Sequence, residues 1–219
     1  MLSSTFSLSA ASRSARSPTP LWLLIPVKPF QAGKSRLAPV LGAHDRHELN
    51  RQLLERTIAV AQAAGLFDQI AVISRSHELL ALAAAKGLLA IQENGRGLNQ
   101  AVMQGAGVAG AGGAAGLLLL PADLPLLEID DIGAVCDPWR TGRADAVLTP
   151  SHDGGTSALL TPVPPPFAFA YGKQSFRRHQ ALIQRAALRL TVVARPRLAA
   201  DLDTPADWTM LQPLLTPVS

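Results

Sequence analysis

The sequence has little cysteine, few aromatic residues and no long apolar run. Cys136 is the one cysteine among 219 residues, which excludes an internal disulfide and a thiolate metal cage. The longest apolar run near the start, Leu21 to Val27, is interrupted by Pro26, whereas a membrane span needs roughly 18 to 20 apolar residues. We therefore expect a cytoplasmic protein with no membrane partner.

Acidic residues are missing from two basic stretches of the chain. No Asp or Glu precedes His44, and none lies between Tyr171 and Ala200, although both stretches contain several Lys and Arg. Such clustering can indicate nucleic-acid binding, but aromatic residues make up only 5% of the chain and no nucleic-acid motif is present. We expect small anionic substrates and no nucleic acid.

The remaining composition is that of a globular protein. Hydrophobic residues make up 48% of the chain, and the length suits one domain with a sizeable core. We place this domain at residues 21–215. Residues 1–20 are rich in Ser and contain Arg13 and Arg16 but no acid, so we expect a disordered tail there, with a transit peptide as the alternative.

Apolar periodicity predicts strands that alternate with helices. This alternation favours an α/β fold of three layers, with a mostly parallel central sheet and helices on both faces. Ligands of such sheets bind beyond the carboxyl ends of the strands. The predicted strands are 21–27, 69–74, 88–91, 117–120, 144–149, a run that follows the loop at 151–156, and 190–194, and the predicted helices are 44–64, 76–86, 98–108, 128–136, 175–187 and one after Asp203.

Two aspartates call for an explanation beyond local structure. Asp123 directly follows an apolar strand, where a carboxylate is costly without water, a partner or a cation. In DLDTPADW, Thr204 and Pro205 have the pattern of a helix start, but that pattern does not explain Asp203. A Mg²⁺ ion shared beside nucleotide phosphates explains both aspartates. For Asp123 the alternative is a turn residue that caps the next helix.

Three cations share the loop after the first strand. We predict that Lys28, Lys34 and Arg36 hold a triphosphate during catalysis, assisted by backbone amides of the Gly33 turn. A P-loop is excluded because its first glycine would fall at position 28, which is lysine. The alternative is an exposed basic loop with no ligand.

A glycine-containing loop leads into the third predicted helix. Gly97 and Asn99 lie in the segment QENGRGLNQA, at positions that suit contacts to the base or ribose of a nucleotide. A simple loop with a helix cap is the alternative.

The second half of the chain contains candidate anion contacts. Thr156 follows two glycines, and Gly172 precedes Ser175 at the start of a predicted helix. A helix N-terminus favours an anion by about 0.3 to 1 kcal/mol. Ser175 can equally be an N-cap, and we expect His179, one turn further on, to face solvent.

Other enzyme chemistries lack their motifs in this chain. There is no G-x-S-x-G nucleophile elbow. His44 and His47 have the wrong spacing for an H-E-x-x-H zinc site, and no G-x-G-x-x-G follows the first strand.

Taken together, these segments resemble the guanylyltransferases of coenzyme F-420 (deazaflavin) biosynthesis, which act on 2-phospho-L-lactate, phosphoenolpyruvate or 3-phospho-D-glycerate. The likeness runs from about Leu23 to Met210 and depends on IPVK with KSRLAP, ADLP, GGTSAL, YG with SFRRH, and DLDTPAD. The family is similar in fold to nucleotide-diphospho-sugar transferases, which are Rossmann-like. Many relatives have Gly where this chain has Ala122.

The resemblance implies a reaction as well as a fold. It implies transfer of GMP from GTP to a small phosphorylated carboxylic acid with release of pyrophosphate, Mg²⁺ on Asp123 and Asp203, and the acceptor on Thr156, Gly172 and Ser175. The acceptor's identity stays open. A homodimer is compatible with the sequence. The alternatives are a molybdopterin or sugar-phosphate acceptor, disfavoured by the lack of an LAGG-type segment after the first strand, and a non-catalytic GTP-binding regulator.

Overall fold

The computed structural model describes residues 19–30 and 33–214, and within these ranges it contains a seven-stranded sheet. The spatial order of the strands is β3-β2-β1-β4-β6-β5-β7. The strands are β1 (Leu21–Pro26), β2 (Gln69–Ser74), β3 (Leu89–Gln92), β4 (Gly116–Leu119), β5 (Ala146–Pro150), β6 (Thr156–Pro162) and β7 (Leu190–Val192).

The sheet is mostly parallel, as predicted, with β6 as its antiparallel strand. β1 pairs in parallel with β2 and β4, β2 with β3, and β5 with β7. β6 runs antiparallel to both of its neighbours, and Thr156 pairs with Pro150 at the end of β5. Because β6 is reversed, its first residue lies at the edge where the parallel strands end.

Helices cover both faces of the sheet and bury alternate residues of each strand. Leu23 and Ile25 of β1 belong to one apolar cluster, which includes α1, α2 and α4, whereas Leu24 belongs to a second cluster with α3 and α5. This alternation follows from the two-residue period of a strand. The helices are α1 (Ala43–Ala64), α2 (His77–Ala85), α3 (Leu98–Ala111), α4 (Ile129–Arg140), α5 (Ser175–Arg185), α6 (Pro196–Ala199) and α7 (Pro205–Leu211), with 3-10 turns at Ser35–Leu37 and Gln212–Leu214.

The predicted helices and strands are present, and the boundaries differ most in α4. The prediction ended this helix at Cys136, two residues before a proline, which removes a backbone hydrogen bond inside a helix. In the structure the helix continues to Arg140 with Pro138 buried inside it. Trp139 packs against the apolar core, so tertiary packing outweighs the local cost of the proline.

No helix among the described residues has the length and hydropathy needed to cross a membrane. Residues 1–18 of the predicted tail lie outside the described residues. Position 215, where the predicted domain ends, also lies outside them.

Candidate active site

A cleft of about 630 Å³ opens at the carboxyl ends of the parallel strands. Residues that follow β1, β2, β3 and β4 line this cleft, together with the first residues of β6 and α5. Its volume lies within the range of small-molecule sites, roughly 300 to 1,000 Å³. The predicted site residues in its lining are Lys28, Lys34, Arg36, Gly97, Asp123, Thr156, Gly172, Ser175 and Asp203.

Asp123 and Asp203 lie on either side of one ammonium group. The Nζ atom of Lys34 is 3.4 Å from Oδ2 of Asp123 and 3.5 Å from Oδ1 of Asp203. Arg36 contacts the other oxygen of Asp203, at 3.4 Å. The Lys34 side chain is only 6% exposed, so this cation is held inside the cleft. The two aspartates therefore share a position at which a cation is stable.

Backbone contacts bring the two aspartates together. The amide of Leu202 donates to the carbonyl of Asp123 at 3.0 Å. The carboxylate of Asp207 accepts the amides of Asp203 and Thr204, at 3.0 and 2.7 Å, in a capping box at the start of α7. Burial opposes the charge on Asp207, but these amides outweigh it and lower the pKa of that carboxyl. The predicted helix start is thus present, and it also positions Asp203.

One oxygen of Asp123 has no hydrogen-bond partner among the described residues. Oδ1 is buried and makes no hydrogen bond within the described part of the chain. An unpaired buried acceptor costs about 1 to 3 kcal/mol, so this atom favours a cation or a water molecule. No group of three or more His, Cys, Asp or Glu residues suited to a metal occurs in residues 19–30 and 33–214. Mg²⁺ is commonly held by only one or two carboxylates together with substrate phosphates, and the pair fits that pattern.

Asp201 is a further acid in the cleft that the sequence reasoning missed. Burial, followed by the charge of Asp123, raises the pKa of its carboxyl. His152 Nδ1 lies 2.9 Å from Asp201 Oδ1. Burial opposes protonation of His152, yet Asp201, the Ala199 carbonyl and Asp207 together raise its pKa. The DLD pattern was the available signal, since its first aspartate also has no helix-start role.

Asn99 holds the loop that follows β6. Its Oδ1 accepts the amide of Tyr171 at 2.7 Å, and its Nδ2 donates to the carbonyl of Tyr171 at 3.3 Å. Asn99 is absent from the cleft lining, whereas Gly97 is part of it. Both ends of the Asn99 amide are thus used within the protein. A nucleotide contact by this side chain stays a prediction.

Thr156 and Ser175 line the cleft and form a hydrogen-bonded network with His179. Ser175 Oγ donates to Thr156 Oγ1 at 3.1 Å, and His179 Nδ1 lies 3.0 Å from the same oxygen. The amide of Ala170 donates to His179 Nε2 at 2.9 Å. The expectation that His179 faces solvent is wrong, since the residue is 0% exposed. Packing of α5 against the loop around Tyr171 buries it.

Part of the basic stretch between Tyr171 and Ala200 serves the fold rather than a ligand. Arg195 and Arg197 both bind the buried carboxylate of Asp131, and Arg189 pairs with Asp145. The acids that neutralise these arginines are distant in sequence, which is why the stretch looks unpaired when read locally.

Comparison with known proteins adds a family to this geometry. A family model described as "Guanylyl transferase CofC like" matches residues 21–212. The chain belongs to this family. The CofC-like chain is 34% identical over 192 residues to phosphoenolpyruvate guanylyltransferase of Rubrobacter xylanophilus, covering 88% of this chain and 93% of the relative. It is 30% identical over 197 residues to 3-phospho-D-glycerate guanylyltransferase of Colwellia psychrerythraea, covering 90% and 93%.

Solved structures agree on the fold of the CofC-like chain. A protein described as a nucleotide-diphospho-sugar transferase, from Desulfovibrio desulfuricans G20, superposes with a TM-score of 0.72 at 16% identity, over 91% of this chain and 89% of the other. The 4-diphosphocytidyl-2C-methyl-D-erythritol synthase of Anaerococcus prevotii gives a TM-score of 0.62 at 10% identity, over 91% and 99%. These structures show the Rossmann-like architecture that the sequence predicted. The family and the relatives show that the CofC-like chain is a nucleotidyltransferase, as was also predicted.

Proposed function

We propose that this guanylyltransferase moves GMP from GTP to a small phosphorylated carboxylic acid, releasing pyrophosphate, in the biosynthesis of coenzyme F-420. The observation that carries the proposal is the arrangement of the cleft. Two aspartates share a buried cation in the cleft. Two bonded hydroxyl groups, Thr156 at the start of β6 and Ser175 at the start of α5, also line it. This arrangement suits two anionic reactants that must meet.

The basic loop after β1 is the proposed triphosphate site. Lys28, Lys34 and Arg36 all line the cleft. Like charges about 4 Å apart repel by about 4 kcal/mol at an effective dielectric constant of 20, and GTP with a phospho-acid presents several such pairs. Cations held in fixed positions offset this repulsion without having to reorganise during the reaction.

Asp123 and Asp203 are the proposed Mg²⁺ ligands. The unpartnered Oδ1 atom of Asp123 and the neighbouring carboxylate of Asp203 are hard oxygen donors of the type that Mg²⁺ prefers. When bound there, the ion would neutralise phosphate charge and help to align the reactants. Lys34 keeps the two carboxylates close to each other before any nucleotide arrives.

Glu93 and Gly97 lie on the proposed guanine side of the cleft. Glu93 directly follows β3, lines the cleft and has a side chain that is 8% exposed, with its carboxylate 3.6 Å from Arg75 Nε. An ionised carboxylate only accepts hydrogen bonds, and the Watson–Crick edge of guanine carries two adjacent N–H groups, whereas that of adenine carries one. Glu93→Gln should therefore reduce the preference for GTP over ATP.

Thr156, Gly172 and Ser175 form the proposed acceptor site. Gly172 has a φ of 118°, which a residue with a side chain adopts only with strain, and its carbonyl accepts the Ser175 amide at 3.0 Å. This turn places Ser175 at the N-terminal end of α5, where the helix dipole favours a carboxylate or phosphate.

The proposed reaction is a direct in-line displacement. A phosphate oxygen of the acceptor attacks the α-phosphorus of GTP, a new P–O bond forms, and the bond from the α-phosphorus to the bridging oxygen of pyrophosphate breaks. The attacking phosphate is already ionised, so no protein base is required. The protein's contribution is to hold both anions in line.

Replacing either aspartate tests this proposal. Asp123→Asn and Asp203→Asn should each lower kcat/KM by about a hundredfold or more, in line with the loss of one electrostatic group from a preorganised site. The measurement is pyrophosphate release from GTP and Mg²⁺ with each phospho-acid. Asp137→Asn is the matched control, because Asp137 is exposed on α4 and pairs with Arg143. Near-normal activity in both cleft variants would overturn the metal assignment.

A panel of acceptors decides the second substrate. Phosphoenolpyruvate and 3-phospho-D-glycerate are named for different relatives, and 2-phospho-L-lactate completes the set. Mass spectrometry of the products identifies the guanylylated acid. Turnover with molybdopterin or a sugar phosphate alone, or GTP binding without turnover of any acceptor, would contradict the proposal. We also propose that the protein is cytoplasmic and that it is a homodimer. Light scattering of the purified protein tests the homodimer.

A further inference from the structure

The proton positions in the His179 network follow from its partners. The backbone amide of Ala170 can only donate, so His179 Nε2, at 2.9 Å, must be the acceptor. A neutral imidazole carries one proton, which then lies on Nδ1 and points to Thr156 Oγ1 at 3.0 Å. An imidazolium would place two N–H groups face to face at Ala170.

The direction of these bonds leaves one hydroxyl proton for the cleft. Thr156 Oγ1 receives the imidazole N–H and shares one proton with Ser175 Oγ at 3.1 Å. The two hydroxyl groups hold two protons, and only one of them can lie between the two oxygens. Both residues line the cleft, and neither hydroxyl has another acceptor among the described residues. The second proton is therefore free to point into the cleft.

We propose that His179 is a positioning residue that sets the Thr156–Ser175 hydroxyl pair as a hydrogen-bond donor to an oxyanion of the acceptor substrate. This inference depends on the proposed function, because it assigns the acceptor to the part of the cleft lined by Thr156 and Ser175. With the opposite tautomer, Thr156 would have to donate its proton to the imidazole, and the pair would be less suited to a carboxylate or phosphate.

The surroundings of His179 keep this tautomer in place. The ring is fully buried and packs edge-to-face against Tyr171, with ring centroids 4.7 Å apart. Burial, with a contribution from the charge of Arg178, lowers the pKa of His179 to about 4. The imidazole is therefore neutral near pH 7, and the donor is available throughout the physiological range.

Two substitutions separate the roles of the two ring nitrogens. His179→Asn can present an amide N–H near the position of Nδ1 and so keep the bond to Thr156. The amide of His179→Gln reaches the position of Nε2 instead, so this variant loses the bond to Thr156. We expect His179→Gln to raise the KM of the acceptor about tenfold, with the KM of GTP changed less than about twofold. His179→Asn should stay within about threefold of wild type. Equal effects of the two substitutions, or parallel changes in both KM values, would overturn the inference.

A double mutant and a spectroscopic measurement complete the test. In a Thr156→Val background, His179→Gln should have little further effect on the KM of the acceptor. Long-range ¹H–¹⁵N correlation spectra of histidine-labelled protein, with the His179→Gln spectrum for assignment, should show the proton on Nδ1. A proton on Nε2 would overturn the inference even if the variants fold poorly. A wild-type enzyme that turns over no acceptor, but has the Nδ1 tautomer, would instead contradict the proposed function.

Discussion

Acidification should destabilise this protein through His179, the buried imidazole that is hydrogen-bonded to Thr156. Burial lowers the pKa of His179 to about 4, against 6.5 for an unburied histidine. As the pH falls below about 6.5, His179 binds a proton in the unfolded chain but stays neutral in the folded chain. The free energy of unfolding therefore falls with the pH, and this one group contributes roughly 2 to 3 kcal/mol between pH 8 and pH 4.5.

Urea denaturation of wild type and of His179→Asn isolates this contribution. Both proteins lose stability in acid through their other groups, so the informative quantity is the difference between their free energies of unfolding at each pH. That difference should shift by roughly 2 to 3 kcal/mol in favour of the variant as the pH falls from 8 to 4.5. His44→Asn, at an exposed position of α1, controls for the loss of a histidine as such. Curves for wild type and His179→Asn that stay parallel within about 0.5 kcal/mol would refute the reasoning.

The remaining predictions concern packing, capping and the thiol. Gly105→Ala should lower the free energy of unfolding by roughly 1 to 3 kcal/mol, because a β-carbon there would overlap Leu24. Gly107→Ala in the same helix should stabilise by up to about 1 kcal/mol, since nothing lies near its β-carbon; the reverse order in urea denaturation would contradict both. Thr204→Ala should cost about 1 kcal/mol in that assay, through loss of the N-cap of α7, and a variant as stable as wild type would count against this. Cys136 should react with a thiol reagent only after unfolding, because burial raises the pKa of its thiol to about 12; fast labelling of the folded protein would disprove it.

Local signals were sufficient for most of the secondary structure, and most of the candidate site residues that they indicated line the cleft. The strand at Gln69–Ser74 has its predicted bounds, and α1 ends at Gly65, whose φ of 61° is the left-handed conformation that glycine favours. Lys28 and Asp123 were recognisable because each follows an apolar strand, and the carboxyl ends of parallel strands meet at one edge. Their roles in GTP and metal binding stay predictions.

Features that depend on contacts between distant segments were decided only by the tertiary structure. The reversed direction of β6 brings Thr156 to the site, and a backbone bond from Leu202 places Asp203 beside Asp123. His179 shares the buried face of α5 with Ile183, and the loop around Tyr171 covers it.

The physical reason is the range over which each effect acts. Periodicity and capping depend on neighbours within a few residues, so they can be read along the chain. Burial, ion pairing and proton position depend on what packs opposite. For His179, Asp201 and the arginines bound to Asp131, those partners come from other elements of the fold.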